Sequence, residues 1–260
     1  MTIEEMKQRK QELGYSYEQI AELASLPLST VQKVLGGITK TPRYDTIRAL
    51  EDVLSPYSMH FLAEPPVPYG FQKKQGDYTI DDLDQIPEDV LVELIDGVLY
   101  YMPTPKTVHQ ILSAEIYVNI HSYIRKNKGD CIPFSAPTSV QLDCDNKTIV
   151  VPDILVVCDR DKLQNGLVFG APDLVIEILS PSTRRKDLTI KHTKYQAAGV
   201  REYWIIDPMK KSVVVYDFEN PDLPEVYTFE HTIPVKIFHG DCRIDFKEIY
   251  EYAEFIYSKQ

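Results

Sequence analysis

The chain has 260 residues, 43% hydrophobic and 26% charged, enough for one large domain or two modest ones with a sizeable core. Its 39 Asp and Glu against 28 Lys and Arg leave a formal net charge of −11, which argues against a basic coat that binds nucleic acid without selection, though not against local patches. The polar start MTIEEMKQRKQELG lacks the apolar stretch of a signal peptide, and no apolar run approaches the ~20 residues that span a bilayer. Cys131, Cys144, Cys158 and Cys242 form no CxxC pair and read as reduced thiols, so a cytoplasmic protein with no membrane partner is expected.

Residues 1–62 read as helices throughout. Ile3, Met6 and Leu13 fall roughly on one stripe, and Ser16 is a good N-cap for a helix over 17–23. A second short helix over 29–35 is stopped by Gly36-Gly37, and a further one over 44–54 stops before Pro56. Two short helices joined by a tight turn and flanked by others is the helix-turn-helix layout. The stretch SYEQIAELASLPLSTVQKVLGGITKTPRYDTIRALEDVL resembles the Cro/repressor-type helix-turn-helix family, through Gln19, Ala21, Leu26, Ser29-Thr30-Val31, Gly37 and Pro42. Ser25 stands where that family often has glycine. The resemblance implies DNA as a partner, with the helix from Ser29 in the major groove and Gln19, Ser29, Thr30, Gln32 and Lys33 as the DNA-binding set. The other reading is a small helical bundle for dimerisation or protein contact, which the near-balanced charge of this region suits.

Residues 63–77 carry three prolines and two glycines without apolar periodicity and read as a linker. The second domain is expected over 78–260. Thr79 caps a short helix through Leu83, and Asp96-Gly97 joins strands 90–95 and 98–101 into a hairpin. A helix over 107–126 turns Ile111, Leu112, Ile116 and Ile120 inward. Strands are expected at 132–134, 138–142, 149–157 and 174–179, then a helix over 185–198 stopped by Gly199. Further strands follow at 202–207, 212–217, 226–229 and 235–238, and a helix over 244–257 closes the chain.

Two of these strands carry a carboxylate that an apolar run disfavours. Asp153 heads Ile154-Leu155-Val156-Val157, and Glu177 sits within Leu174-Val175-Ile176-Glu177-Ile178-Leu179. A lone buried carboxylate costs several kcal/mol unless it is paired, hydrogen-bonded or metal-bound. The helix that follows puts Asp187, Lys191 and Tyr195 on one face by i, i+4 spacing. Two acids on neighbouring strands and a lysine on the next helix point to a divalent-metal site.

Pro152-Asp153 before a strand and Glu177-Ile178-Leu179 on a second one resemble the PD-(D/E)xK nuclease superfamily. ELIDG at 93–97, EILSPST at 177–183 and GVREYWIIDP at 199–208 narrow the resemblance to a bacterial family known as putative restriction endonucleases. It implies an α/β restriction-endonuclease-like domain with a mixed sheet, so the fold class expected for the whole is α+β multidomain, with the all-α helix-turn-helix domain first. It also implies phosphodiester cleavage with Mg²⁺ or Mn²⁺, held by Asp153 and Glu177. The superfamily lysine would follow Glu177 by two residues, but Leu179 stands there. The family pattern supplies Lys191 instead, and adds Glu93 and His109 as catalytic-site residues. Arg184-Arg185-Lys186 reads as a basic cluster beside the site, either holding phosphate or solvated. The expectation is a homodimeric, metal-dependent DNA endonuclease targeted by its own helix-turn-helix. The alternative is a DNA-binding transcriptional regulator whose inactive nuclease-like domain dimerises or senses.

Overall fold

A computed structural model of the chain describes residues 2–13, 16–24, 26–39, 42–54, 73–87, 90–102, 104–180, 183–220 and 223–257. Two units divide it, Met1–Phe71 and Gln72–Gln260. The stretch expected as a linker lies mostly outside the described residues.

In the first unit four helices, α1 (Ile3–Leu13), α2 (Tyr17–Leu23), α3 (Leu28–Leu35) and α4 (Tyr44–Leu54), close around Met6, Ile20, Val31, Val34, Leu35, Leu50 and Leu54. In α3 the spacing of Val31, Val34 and Leu35 gives one buried stripe, which leaves Ser29, Gln32 and Lys33 exposed and Thr30 half-buried. Gly37 ends the helix at φ 77°, a left-handed conformation that lets Ile38 N donate back to Lys33 O at 2.9 Å.

The second unit opens with α5 (Ile80–Leu83), where Thr79 N donates to the Asp82 carboxylate at 2.7 Å. The hairpin β1 (Val92–Ile95) and β2 (Val98–Tyr101) follows, then α6 (Thr107–Lys126), β3 (Ile132–Ser135), β4 (Val140–Gln141) and β5 (Ile154–Val157). The expected single strand over 149–157 is broken. Ile149 and Val150 make isolated bridges to Leu94 and Val140, and the chain joins the main sheet only from Ile154. Pro152 has no N–H for a ladder, and Val151 N is taken by a side chain, that of Glu93.

Next come β6 (Leu163–Gln164) and β7 (Leu167–Phe169), in a stretch read from the sequence only as a loop. Their turn is Asn165-Gly166 with φ 50° and 81°, the Asn-Gly signal of a primed hairpin turn. β8 (Leu174–Ile178) leads into a composite helix of α7 (Arg184–Lys186), a π-helical segment (Asp187–Lys191) and α8 (His192–Ala198). β9 (Glu202–Asp207), β10 (Ser212–Asp217), β11 (Glu225–Thr228), β12 (Thr232–Pro234), β13 (Arg243–Asp245) and α9 (Phe246–Tyr257) complete the unit. The strand expected over 235–238 is instead a 3₁₀ turn at Lys236–Phe238, beside the β12–β13 pair.

The main sheet has the order β11-β10-β9-β8-β5-β3. It is mixed: β8 and β9 run parallel, and the other pairs are antiparallel. The composite helix is the crossover that a parallel neighbour requires. Ile154, Val156, Leu174 and Ile176 turn to one face and pack with Leu112, Ile116 and Ile120 of α6. Leu155, Val157 and Val175 turn to the other and pack with Tyr195 of α8 and Ile95 of β1. This mixed sheet between helices has the form of a restriction-endonuclease-like domain.

The cysteines differ from expectation. Cys131 and Cys158 form a disulfide, because extending the β3–β5 register Ile132↔Val157 by one residue sets them opposite each other. Cys144 and Cys242 are free. No described helix is long and apolar enough to cross a membrane.

Candidate active site

Extending the β5–β8 register Ile154↔Ile176 by one residue places Asp153 opposite Glu177, and opposed residues of an antiparallel pair share a face. Asp153 Oδ2 accepts from Ile178 N at 2.7 Å and lies 3.1 Å from His109 Nε2, in the first turn of α6. Its position is therefore tied to the strand that carries Glu177. His109 Nδ1 is buried with no hydrogen-bond partner among the described residues.

Glu177 Oε1 accepts from Lys191 Nζ and from the Tyr195 hydroxyl, each at 2.7 Å. Glu93, on β1, is wholly buried, and its Oε1 accepts from Val151 N at 2.9 Å and lies 2.6 Å from Lys191 Nζ. Its other oxygen accepts from Lys186. Asp187 lies 3.8 Å from Lys191, and its Oδ1 has no hydrogen-bond partner among the described residues. The five expected residues thus gather around β8: Glu177, Lys191 and Glu93 share one ion-pair network, and Asp153 and His109 pair beside it, tied to β8 through Ile178 N.

Lys186 reads from the sequence only as part of the basic cluster beside the site, and what that reading misses is its buried pairing with Glu93. In an α-helix it lies about 140° from Lys191 by the 3.6-residue repeat. The π-helical segment removes that offset, because an i→i+5 turn stacks residues five apart. Both lysines consequently reach Glu93, and Lys186 also stands over the Tyr100 ring at 5.4 Å. Of the basic cluster at 184–186, Arg184 pairs with Asp207 at 2.5 Å, the Arg185 side chain is not among those described, and Lys186 is buried. Lys194 leaves the network and pairs with Asp96 and Asp143.

Four carboxylates here face two lysines and one histidine. Burial pushes the Glu177 carboxyl up, and Asp187, Asp153 and Glu93 add to this against the pull of Lys191, so it stands at about 8. Burial acts on Glu93 in the same sense, but Lys191 and Lys186 together outweigh it and hold the carboxyl down at about 2. Glu177 and Glu93 share Lys191 yet move in opposite directions, because Glu93 has a second lysine and Glu177 has three acidic neighbours. Burial also raises the Asp187 carboxyl. Burial opposes charge on His109, but the Asp153 hydrogen bond and the charges of Asp153 and Asp187 prevail, and its pKa is raised. Burial likewise opposes the Lys191 ammonium, and the three carboxylates around it keep it protonated far above the usual lysine range.

Among the described residues, no three His, Cys, Asp or Glu side chains form a ready metal cage. In kind, the donors suit a hard cation: carboxylates outnumber lysines, Asp187 Oδ1 accepts no hydrogen bond among the described residues, and burial, with the like charges beside it, drives Glu177 toward its neutral form. The proposed DNA-reading residues lie on α2 and α3 of the first unit. Ser29, Gln32 and Lys33 are exposed and Thr30 is half-buried, while the side chain of Gln19 falls outside those described.

Residues 80–246 match the family model Uma2, "Putative restriction endonuclease". The chain is similar to the crystal structure of a putative nuclease belonging to DUF820 from Anabaena variabilis ATCC 29413, with 26% identity and a TM-score of 0.56 over 67% of this chain and 98% of that one. It is also 24% identical, over 125 residues and 48% of its length, to "Uncharacterized protein slr1290" of Synechocystis sp. (strain ATCC 27184 / PCC 6803 / Kazusa), of whose length it spans 64%.

Proposed function

This chain belongs to the Uma2 family of putative restriction endonucleases, and from that premise we propose that it is a metal-dependent DNA endonuclease directed to DNA by its N-terminal helices. The observation that carries the reading is the meeting of Asp153, Glu177 and Lys191 at the end of two paired strands. Asp153 and Glu177 would hold Mg²⁺ or Mn²⁺, which supplies a Lewis acid for phosphodiester hydrolysis when bound.

The remaining roles fall to the chain's own groups. Lys191 stays protonated, so it serves as a fixed positive charge for a phosphate oxygen rather than as a base. Glu93, with Lys186 on its other oxygen, is a positioning residue that aims Lys191. His109 and Ile178 N orient Asp153, and Tyr195 orients Glu177. Ser29, Thr30, Gln32 and Lys33, with Gln19, would contact the duplex. A homodimer belongs to the same proposal, while the reduced-thiol ground for a cytoplasmic protein falls with the Cys131–Cys158 disulfide.

One observation favours the second reading, a DNA-binding regulator with an inactive nuclease-like domain: Lys191 is engaged by both Glu93 and Glu177, and among the described residues no three-acid cage stands ready. Nicking of a supercoiled plasmid decides between them. Cleavage in Mg²⁺ or Mn²⁺ that is absent in EDTA and in Asp153→Asn supports the endonuclease. Tight duplex binding with no cleavage under any of these conditions supports the regulator.

A further inference from the structure

At the far end of α6 from His109, a cavity of about 600 Å³ is lined by Tyr117, His121, Arg125, Lys128 and Arg160 together with Asp130 and apolar neighbours. The chain carries a net charge of −11, yet three cationic side chains line this cavity against one carboxylate, Asp130. That acid already lies near Arg160, at 3.8 Å. Arg125 and Lys128 are exposed, and neither pairs with a carboxylate among the described residues. Lys128 holds φ 52°, a left-handed conformation that Gly or Asn adopts more readily, just past the end of the helix. Beside these cations, the Tyr117 and His121 rings stack with centroids 5.7 Å apart and planes 12° from parallel. His121 is exposed, so one more flat ring can extend the stack.

We propose that this cavity takes one nucleotide of a bound nucleic-acid strand, its base on the Tyr117–His121 stack and its phosphate on Arg125, Lys128 and Arg160. Aromatic stacking next to a cationic groove is the chemistry by which unpaired nucleotides are held. The assignment rests on the nuclease reading and deepens it by tracing the substrate beyond the carboxylate centre. His121 lies twelve residues along α6 from His109, about 18 Å at 1.5 Å per residue. That span corresponds to about five base steps at ~3.4 Å per strand. The strand would cross the carboxylates at one end of α6 and be gripped at the other.

The test measures binding of a labelled single strand of about 20 nucleotides by the full chain in EDTA. It uses a Gln32→Ala/Lys33→Ala background to remove the contribution of α3. Arg125→Ala/Lys128→Ala should weaken binding about tenfold at low salt and lower the salt slope by about 1.5, as loss of two phosphate contacts requires. His121→Ala should weaken single-strand binding more than duplex binding, and dAMP should compete only weakly. Unchanged affinity and slope in the double variant overturn the proposal, and so does competition by dAMP equal to that of the strand. Cleavage by the wild type with unchanged binding in the double variant removes the cavity assignment alone. Lost binding in the double variant, with no cleavage by the wild type, upholds the cavity and removes the nuclease reading.

Discussion

Lys191 donates to Glu177 Oε1 at 2.7 Å across fourteen residues of chain, and so brings to the strand the positive charge that Leu179 cannot. The same ammonium lies 2.6 Å from Glu93, which makes Lys191 a structural tie between hairpin and main sheet as well as a catalytic candidate.

Lys191→Met should therefore abolish cleavage and also lower stability. Two buried carboxylates lose their shared partner, and breaking a buried pair costs ~3–5 kcal/mol. The loss should shrink at pH 5, where Glu177 is already neutral. Urea unfolding at pH 5 and pH 8 measures both effects, and equal losses at the two pH values would contradict the assignment of the proton to Glu177.

Lys186 and Glu93 should be strongly coupled. A double-mutant cycle with Lys186→Met and Glu93→Gln is expected to give a coupling of about 1–3 kcal/mol, because both partners are buried and in direct contact. A coupling near zero would show that the buried contact between Lys186 and Glu93 adds nothing to stability.

Asp153 separates structure from chemistry. Asp153→Ala leaves the buried Ile178 N–H without its acceptor and should cost about 1–3 kcal/mol, whereas Asp153→Asn keeps an oxygen there and should unfold near the wild-type midpoint. Both should lose cleavage and Mg²⁺ binding in a calorimetric titration. Retained cleavage in Asp153→Asn would remove Asp153 from the proposed centre.

The pH dependence of stability in EDTA has a definite sign. Glu177 is raised from 4.5 to about 8, so its contribution is full below pH 4.5 and is lost as the pH rises towards 8. His109, raised above 6.5, acts in the same direction at higher pH. Glu93 is lowered from 4.5 to about 2, so its contribution is full above pH 4.5 and is lost as the pH falls towards 2. Urea midpoints from pH 3 to 9 should pass through a maximum near pH 5, and Glu177→Gln should flatten the decline on the alkaline side.

In the first unit, Gln32→Ala and Lys33→Ala should each weaken duplex binding without changing thermal unfolding, since both side chains are exposed. Only the lysine change should reduce the salt slope, by about one. Unchanged affinity in both variants would make this unit a protein-contact module.

Most of the candidate site was legible because burying charge in apolar runs is costly enough to leave a mark. Asp153 and Glu177 stood out for that reason, and i, i+4 spacing brought Lys191 and Tyr195 to their side. The pairing of Lys186 with Glu93 was hidden because helical phase was counted at 3.6 residues per turn, and a π-helical segment has no sequence signature in that count. The disulfide was hidden because Cys131 and Cys158 meet only through sheet register, 27 residues apart. The β6–β7 hairpin could have been found, since Asn165-Gly166 is a strong turn signal. The 3₁₀ turn at Lys236–Phe238 could not, because a short apolar run fits strand and turn alike.

Glu93 and Lys186 are 93 residues apart, and their pairing has a consequence for how the centre is assembled. The entropy cost of closing a loop grows only slowly with its length, whereas burying either charge without the other is expensive. Docking of the β1–β2 hairpin is the step that brings Glu93 to both lysines. Until it docks, Lys186 lacks its carboxylate partner and Lys191 is held by Glu177 alone of the two acids that share it. A chain still emerging from synthesis, or one opened locally at the hairpin, would hold Asp153, Glu177 and Lys191 without the carboxylate that fixes Lys191 from its other side.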